Sequence, residues 1–267
     1  MRRTPRRYAV PPHEWDAHTY ASLDLPHQRW GAGVIDQLRL TGSERVLDLG
    51  CGPGRDTLRL LSLLPEGHVV ALDASERMLE ELRRQLAAHS EARGRVTVVL
   101  ADLREPLPLS EPVDVAMSVA TLHWVPDHPA VFRHVARVLR PGGRLVAEAG
   151  GRGNIAWVRA ALWRAGVGGS PVWDVTGGGV WNFAGVEETE DALAAAGFTD
   201  LHVELVPDPA VLSRGEQLET YLATVVLGAH LRELDPSEHA AFVRTVAAEL
   251  PEPVIDYVRL RISATRR

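Results

Sequence analysis

A glycine-rich segment follows the first strongly apolar run of the chain. Residues 46–54 read Val-Leu-Asp-Leu-Gly-Cys-Gly-Pro-Gly and lie between a predicted strand and a predicted helix. Glycine allows the backbone to turn sharply and to approach a ligand without a clash at Cβ. Ligands of open α/β sheets bind at the carboxyl ends of the strands. The segment therefore predicts a cofactor loop, and the alternative is a tight strand–helix turn without a ligand.

Acidic residues follow the next two predicted strands. Asp73 ends the second strand, where a carboxylate can accept hydrogen bonds from the hydroxyls of a ribose. Asp102 follows the third strand, where a carboxylate can accept a hydrogen bond from an adenine amino group or cap a turn. Together with the glycine-rich segment, these positions fit a cofactor that contains adenosine.

The spacing of the glycines distinguishes between two kinds of adenosine cofactor. A dinucleotide fingerprint reads Gly-x-Gly-x-x-Gly, whereas Gly50, Gly52 and Gly54 alternate and Arg55 follows them. The sequence contains no lysine, so the Tyr-x-x-x-Lys pair of the commonest nicotinamide-dependent oxidoreductases is absent. A nicotinamide-dependent oxidoreductase is therefore the weaker alternative.

Short apolar strands and amphipathic helices alternate around these residues. Right-handed crossovers place such strands in a parallel sheet that is covered by helices on both faces. Strands are predicted at residues 45–50, 68–73, 95–101, 113–118, 144–149, 198–206 and 257–264. Helices are predicted at residues 15–40, 55–64, 75–88, 130–139, 155–165, 187–196 and 215–249, and the glycines and proline of residues 141–143 are expected to stop the fourth of them.

The composition limits the class of protein. The 267 residues are 45% hydrophobic, which suffices for one large α/β domain with added helices. The net charge of -6 argues against a broad nucleic-acid-binding face, so no nucleic-acid partner is expected. Cys51 is the one cysteine, so no disulfide and no metal site are predicted. The basic N-terminus is not followed by an apolar segment, and no run is long enough to span a membrane, which predicts a cytoplasmic protein without a membrane partner.

The ordered set of motifs resembles the class I S-adenosylmethionine (SAM)-dependent methyltransferases. The matching residues are Asp48–Gly54, Asp73, Asp102, Asp114 and Leu139–Gly143. A narrower resemblance, to the trans-aconitate methyltransferase group, is carried by Ala120–His128, Trp181–Phe183 and Asp256–Leu260.

The resemblance implies a fold and a division of the chain. The implied fold is a Rossmann-like, doubly wound α/β fold with a seven-stranded sheet in the order 3-2-1-4-5-7-6, an antiparallel last strand and helical lid insertions. Residues 1–40 would form an N-terminal arm and helices that close over the cofactor. Residues 41–206 would form the SAM-binding core, 207–254 the helical lid and 255–267 the final strand of the sheet.

The resemblance also implies roles for individual residues. SAM would be the cofactor, S-adenosylhomocysteine its product and a small molecule the methyl acceptor. Cys51 lies in the cofactor loop, where its small size rather than its reactivity matters. The implied cofactor-binding residues are Asp48, Gly50, Cys51, Gly52 and Gly54 at the methionine part, Asp73, Ala74 and Met78 at the ribose and adenine, Asp102 and Leu103 in the adenine pocket, Val119, Ala120 and His123 beside the sulfonium, and Tyr20 in the helix that closes over the cofactor.

The chemistry of methyl transfer needs few catalytic groups. The sulfonium is already an activated leaving group, so alignment of the reactants, worth up to roughly 7–11 kcal/mol, does most of the work. We expect O-methylation of a carboxylate or a hydroxyl, and for a hydroxyl His123 is the candidate base or positioning group. Because no diagnostic catalytic residue is required, a non-catalytic SAM-binding module is a further alternative.

Candidate acceptor-binding residues are aromatic, basic or both. Aromatic walls suit an apolar ligand region, and guanidinium groups match carboxylates. The candidates are His13, His18, Trp124, Arg152, Trp181 and Arg259, with Arg159 as a further arginine that could pair with an acid. His128 and His134 are expected to face solvent.

Overall fold

A computed structural model describes residues 27–89, 92–165 and 181–267 of the chain. The predicted roles of His13, His18 and Tyr20 lie outside the described residues. The described helices are α1 (His27–Gln37), α2 (Arg55–Leu63), α3 (Glu76–Ala88), α4 (His128–Val138), α5 (Ala156–Arg164), α6 (Val186–Ala195), α7 (Glu216–Tyr221), α8 (Gly228–Leu231) and α9 (His239–Glu249). The described strands are β1 (Arg45–Leu49), β2 (His68–Asp73), β3 (Val96–Leu100), β4 (Val113–Val119), β5 (Leu139–Gly150), β6 (Phe198–Pro207), β7 (Ala210–Val211), β8 (Val254–Ile255) and β9 (Val258–Arg266).

Seven of these strands form one sheet in the order β3-β2-β1-β4-β5-β9-β6. Strands β1 to β5 are parallel to one another, and β9 runs antiparallel to both β5 and β6. Because β7 and β8 pair only with each other, β9 is the seventh strand of the main sheet in chain order. The predicted strand order and the antiparallel last strand are therefore confirmed.

Helices cover both faces of the sheet, which explains why its central strands are apolar at successive positions. On one face, Phe132 of α4 and Leu193 of α6 pack with Leu47 and Leu49 of β1. On the other face, residues of α1 and α2 pack with Val46, whose side chain points to the opposite side of the strand from those of Leu47 and Leu49. Residues buried on both sides of a strand are typical of a parallel sheet inside a doubly wound fold.

The junction of α4 and β5 differs from the prediction. The helix begins at His128, with the Asp127 carboxylate accepting the Ala130 N–H at 2.9 Å, and ends at Val138. Leu139 is buried and already paired with Val113 of β4, so β5 begins before the glycines that were expected to stop the helix. The observed bounds of α4 and β5 therefore differ by a few residues from the predicted helix at 130–139 and the predicted strand at 144–149.

The segment between β6 and β9 forms a small helical insertion. Its ends are joined where β7 pairs with β8, and between them lie α7, a π-helical turn at Leu222–Val226, α8 and α9. Buried residues of this insertion pack with α5, Trp30 and Trp181 in one apolar cluster. The helical character predicted for residues 215–249 is confirmed, while the use of the insertion as a lid stays a prediction. Within the described ranges, no helix is both long and apolar enough to cross a membrane.

Candidate active site

The glycine loop turns at the carboxyl end of β1. Gly50, Gly52 and Gly54 have φ values of +73°, +54° and +96°, which residues other than glycine rarely adopt. A Cβ atom on Gly50 would lie 2.2 Å from Oγ1 of Thr121, and one on Gly54 would lie 2.2 Å from Cδ1 of Leu82. At Gly52, by contrast, no atom of the described residues lies within 4 Å of such a Cβ. The outer two glycines therefore fit against protein, and the middle one borders a space that a ligand can fill.

Asp73 holds this loop in place. Its Oδ2 accepts the backbone N–H of Gly52 at 2.8 Å, and its Oδ1 accepts the N–H of Ser75 at 2.9 Å. Ser75 in turn caps α3 by accepting the N–H of Met78 at 3.2 Å. Asp73 and Ala74 are partly exposed beside the loop, whereas Met78 is buried. The structure thus brings the predicted ribose residues together with the predicted methionine loop.

Two further carboxyl groups lie beneath the loop. Asp48 is 2% exposed and accepts a hydrogen bond from the Thr57 hydroxyl at 2.7 Å. Burial and the neighbouring charges of Asp56 and Asp73 together raise the pKa of Asp48 to about 7, although the hydrogen bond from Thr57 lowers it. Burial also raises the pKa of Asp56 to about 6. A cationic ligand group would offset this accumulation of negative charge.

The sequence patterns did not predict a role for Asp56. It lies in the first turn of α2, directly after the glycine loop, and that position was the available signal. Gly31 of α1 packs against it so closely that a Cβ atom there would lie 2.3 Å from Oδ1 of Asp56. Asp56 therefore connects the first described helix with the cofactor loop.

Cys51 is a packing residue. Its side chain is buried with Ala71, Leu79 and Leu82. Burial raises the pKa of the thiol well above its ordinary value, and the nearby aspartates add to this effect. Because the thiolate is the reactive form of cysteine, the residue is held unreactive.

Two residues that follow β3, Asp102 and Leu103, were predicted to bind adenine, and the structure differs from this prediction for Leu103. The Asp102 carboxylate forms a two-point ion pair with Arg104, with a shortest N–O distance of 2.6 Å, and also accepts the Arg104 backbone N–H. Leu103 is 5% exposed, and its side chain packs in the main core. The side chain of Leu103 therefore does not flank a ligand, because it points into the core, and adenine would share the Asp102 carboxylate with Arg104.

The end of β4 lies beside the glycine loop. Ala120 adopts a left-handed conformation with φ +54°, and its N–H donates to the carbonyl of Glu148 at 2.7 Å. Such a conformation costs a non-glycine residue about 1–2 kcal/mol, and strain of this kind is concentrated at functional sites. The Thr121 hydroxyl contacts the carbonyls of Gly50 at 3.3 Å and Val119 at 3.1 Å. The predicted sulfonium segment and the cofactor loop are therefore in direct contact.

A group of rings lies just beyond this point. We call the rings of His123, Trp124, Trp181 and Phe183 the aromatic wall. Trp181 and Phe183 are stacked, with centroids 5.8 Å apart and an interplanar angle of 13°. The His123 ring lies 5.2 Å from Trp124 and 6.0 Å from Phe183, and Trp124 lies 6.3 Å from Trp181. The chain segments are joined by the Asn182 N–H, which donates to the carbonyl of His123 at 2.8 Å. His123, Trp124 and Trp181 had been predicted at the site, whereas no role had been predicted for Phe183.

The arginines expected to bind an acid occupy different surroundings. Arg152 is exposed and pairs with Glu188 of α6 at 2.9 Å, so it lies on the outer surface of the protein. Arg159 of α5 reaches the aromatic wall, with Cζ 6.0 Å from the centroid of Phe183. The structure therefore favours Arg159 over Arg152 as a partner for an acidic acceptor.

Arg259 is placed beneath the site rather than at its surface. Its side chain is 1% exposed, its Nε lies 3.3 Å from Oε1 of Glu148, and its Cζ lies 3.6 Å from the centroid of Trp30. Tyr257 lies on another side of the same guanidinium, at 5.9 Å. Because the guanidinium is buried, paired with Glu148 and stacked on Trp30, the structure corrects the prediction for Arg259 to a supporting role.

The two histidines expected at the surface are not both there. His128 is 4% exposed, and its Nε2 lies 2.9 Å from the carbonyl oxygen of Leu122. Burial lowers its pKa, as expected for a cation removed from water. His134 is partly buried, with Nδ1 3.2 Å from the carbonyl oxygen of Leu103. The prediction was wrong for His128 because the helix face that it occupies packs against the sheet.

Comparisons with known proteins agree with the geometry. The family model of a methyltransferase domain matches residues 46–143. Trans-aconitate 2-methyltransferase of Methylobacterium nodulans is 35% identical over 135 residues, which cover 51% of this chain and 49% of the relative. The match therefore spans about half the length of that relative. The methyltransferase C70.08c of Schizosaccharomyces pombe is 31% identical over 219 residues, which cover 79% of this chain and 82% of the relative.

Solved structures show the same fold. Phosphoethanolamine N-methyltransferase 2 of Haemonchus contortus, solved with S-adenosylhomocysteine, superposes with a TM-score of 0.59 and 18% identity over 89% of this chain and 52% of that chain. At this identity the likeness concerns the fold alone. The family model and the yeast relative decide against a nicotinamide-dependent oxidoreductase. The chain belongs to the SAM-dependent methyltransferases, a family whose cofactor is S-adenosylmethionine.

Proposed function

We propose that this protein transfers the methyl group of SAM to an oxygen atom of a small-molecule carboxylic acid. The observation that carries the proposal is the contact of the cofactor loop with the segment that begins the aromatic wall. Thr121 contacts the loop at Gly50, and the first two rings of the wall follow it at His123 and Trp124. A cofactor in the loop and an acceptor at the wall would therefore be neighbours.

The loop suits the charge distribution of SAM. The open space at Gly52 admits a ligand close to the backbone, and the partly exposed Asp73 lies beside it for the ribose hydroxyls. SAM carries an ammonium group and a sulfonium, and the buried carboxyl groups of Asp48 and Asp56 attract positive charge. The methionine end of the cofactor would thus lie nearest to these two residues.

The reaction needs alignment more than proton transfer. One carboxylate oxygen attacks the methyl carbon, the carbon–sulfur bond breaks, and its electron pair goes to sulfur. No proton has to move, because the acceptor is already ionised at neutral pH. Rings on the acceptor side exclude water and restrict the acceptor, which favours a near-attack arrangement.

Two observations support a carboxylate as the acceptor. Arg159 brings a guanidinium to the Phe183 side of the wall, and guanidinium pairs well with carboxylates. Relatives of this chain in Methylobacterium nodulans and in an Azoarcus strain are named trans-aconitate 2-methyltransferases, and trans-aconitate is a carboxylic acid.

The experiment proceeds in two steps. Calorimetric titration with SAM, S-adenosylhomocysteine and NAD should show binding of the first two only. Formation of S-adenosylhomocysteine is then measured with small carboxylic acids, each compared with its own methyl ester. Turnover of an acid and not of its ester supports the proposal. Cofactor binding without turnover of any acid would contradict it, and turnover of amines or alcohols instead would assign a different acceptor.

A further inference from the structure

We infer that His123 acts on the acceptor as a hydrogen-bond donor through Nε2, and that it does not act as a general base. The inference rests on the proposed function and specifies how its acceptor is held. It begins with one contact: the backbone N–H of Gly150, the last residue of β5, donates to Nδ1 of His123 at 3.2 Å.

This contact fixes the tautomer of the neutral ring. A backbone amide can only donate, so Nδ1 must offer its lone pair. A neutral imidazole carries one proton, which then lies on Nε2. A ring with a proton on Nδ1 would bring two N–H groups against each other and lose the hydrogen bond to Gly150. The proton of the neutral ring therefore lies on the nitrogen that is not bonded to Gly150.

The surroundings keep the ring in this orientation. The carbonyl of His123 accepts the Asn182 N–H, and the ring packs near those of Trp124 and Phe183. Gly150 is equally fixed, because a Cβ atom on it would lie 2.7 Å from Nδ2 of Asn154. The His123 side chain is only 9% exposed. Neither partner of the hydrogen bond can turn without disturbing the wall.

A fixed donor selects among acceptors. An Nε2–H group can bond to a carboxylate or carbonyl oxygen, but it cannot remove a proton from a hydroxyl or an ammonium group. It can bind one carboxylate oxygen while the acceptor reacts with the methyl carbon, the electron pair of the broken carbon–sulfur bond going to sulfur. His123 thus positions an acceptor that needs no base.

The tautomer can be measured without turnover. Long-range nitrogen–proton NMR spectra of the imidazole rings distinguish Nε2–H from Nδ1–H, and the His123→Asn variant identifies the signals of His123 by their loss. We expect the Nε2–H form, both in the free protein and with S-adenosylhomocysteine bound. Observation of the Nδ1–H form in either state would overturn the inference.

Matched variants then test the role in the reaction. His123→Gln keeps a terminal N–H donor but cannot act as a base, and we expect it to retain turnover within about tenfold of the wild type. His123→Asn keeps an oxygen that can accept the Gly150 N–H, but its shorter side chain places no N–H donor at the position of Nε2. It should melt close to the wild-type temperature and lose about 10- to 100-fold in turnover. His123→Ala lacks both groups.

The outcomes separate the inference from the proposed function. If His123→Gln is as inactive as His123→Ala, His123 acts as a base and the inference is overturned. If the wild type methylates no carboxylic acid, the proposed function fails, and the NMR spectra still decide the tautomer. Rescue by glutamine and not by asparagine, together with the Nε2–H form, is the expected result.

Discussion

The cofactor loop and the aromatic wall are built in different ways. The loop is formed by residues close in sequence, and its shape is set by backbone conformation, with left-handed glycines and backbone N–H groups bound to Asp73. The wall is formed by rings from two segments that are about 60 residues apart in the chain, and it is held mainly by side-chain packing. The loop therefore tolerates almost no change of side chain, whereas the wall can exchange one ring for another apolar group.

This difference suits a protein that binds one fixed cofactor and a variable second molecule. Backbone geometry recognises the part that stays the same, and exchangeable side chains recognise the part that differs between relatives of one fold. Substitutions in the loop should therefore affect binding of the cofactor strongly, and substitutions in the wall should affect the acceptor with smaller effects.

The largest effect is expected for Gly50→Val. The new side chain would meet Thr121 at a residue whose φ is +73°, so strain and overpacking add. We expect a loss of stability of about 3 kcal/mol and no measurable binding of S-adenosylhomocysteine by calorimetry. Gly142→Val is the matched control, because Gly142 has φ +75° and no described atom within 4 Å of the new Cβ. Equal effects at both glycines would mean that the contact with Thr121 is unimportant.

The next effect is expected for Asp73→Ala. The substitution removes the acceptor of the Gly52 and Ser75 N–H groups, and hydrogen bonds to a charged group contribute about 1.5–3 kcal/mol each. The affinity for SAM should fall by about 100-fold in a calorimetric titration. Asp235→Ala is the control. Asp235 lies in the helical insertion and accepts the N–H of Ser237, two residues further along the chain, as Asp73 accepts that of Ser75. Unchanged affinity in Asp73→Ala would remove Asp73 from the site.

The two regions also differ in how far the sequence predicted them. The strand order and the cofactor loop could be predicted because they depend on local patterns: apolar runs, glycine spacing and an aspartate at a strand end. The same patterns gave the positions of Asp48, Gly50, Gly52 and Asp73, which the structure brings together. Leu103 shows the limit, because an apolar residue beside a site can equally belong to the core beneath it.

The acceptor side could be predicted only in part. Trp124 and Trp181 could be chosen as aromatic residues, but their approach to Phe183 depends on tertiary packing between distant segments. The arginines could not be distinguished by sequence, since only the fold decides that Arg259 is buried under Trp30 while Arg159 reaches the wall. Contacts that depend on the direction of a side chain can be assigned only from the structure.

A smaller effect, with a pH dependence, is expected for Asp48→Asn. Burial raises the pKa of Asp48 from 3.8 to about 7, so the folded protein holds a proton there that the unfolded chain releases near pH 4. The unfolded state therefore binds fewer protons between these values, and stability falls as the pH rises from about 4 to about 7. Asparagine can still accept the Thr57 hydrogen bond but carries no charge.

Denaturant unfolding of the protein without ligand tests this expectation. Asp48→Asn and the wild type should differ little in stability at pH 4, and the advantage of Asp48→Asn should grow by up to about 1.4 kcal/mol per pH unit until about pH 7. Its affinity for the cationic SAM should fall at pH 8, because the carboxylate that attracts the ligand is gone. Asp36→Asn, at an exposed aspartate, serves as the control and should change neither quantity. Equal pH slopes for Asp48→Asn and the wild type would show that Asp48 does not titrate in this range.

The smallest effect is expected in the wall, from Phe183→Leu. Leucine keeps an apolar side chain but loses the stacking on Trp181 and the ring near Arg159, contacts worth about 0.5–1.5 kcal/mol. The KM for the acceptor should rise by about three- to tenfold in steady-state kinetics, while the affinity for S-adenosylhomocysteine stays the same. Phe242→Leu, in the same apolar cluster but outside the wall, should leave the KM unchanged. If Phe183→Leu weakened the binding of the cofactor as much as that of the acceptor, the loop and the wall would contribute to one common binding site. The contrast between a loop built from backbone and a wall of exchangeable side chains would then fail.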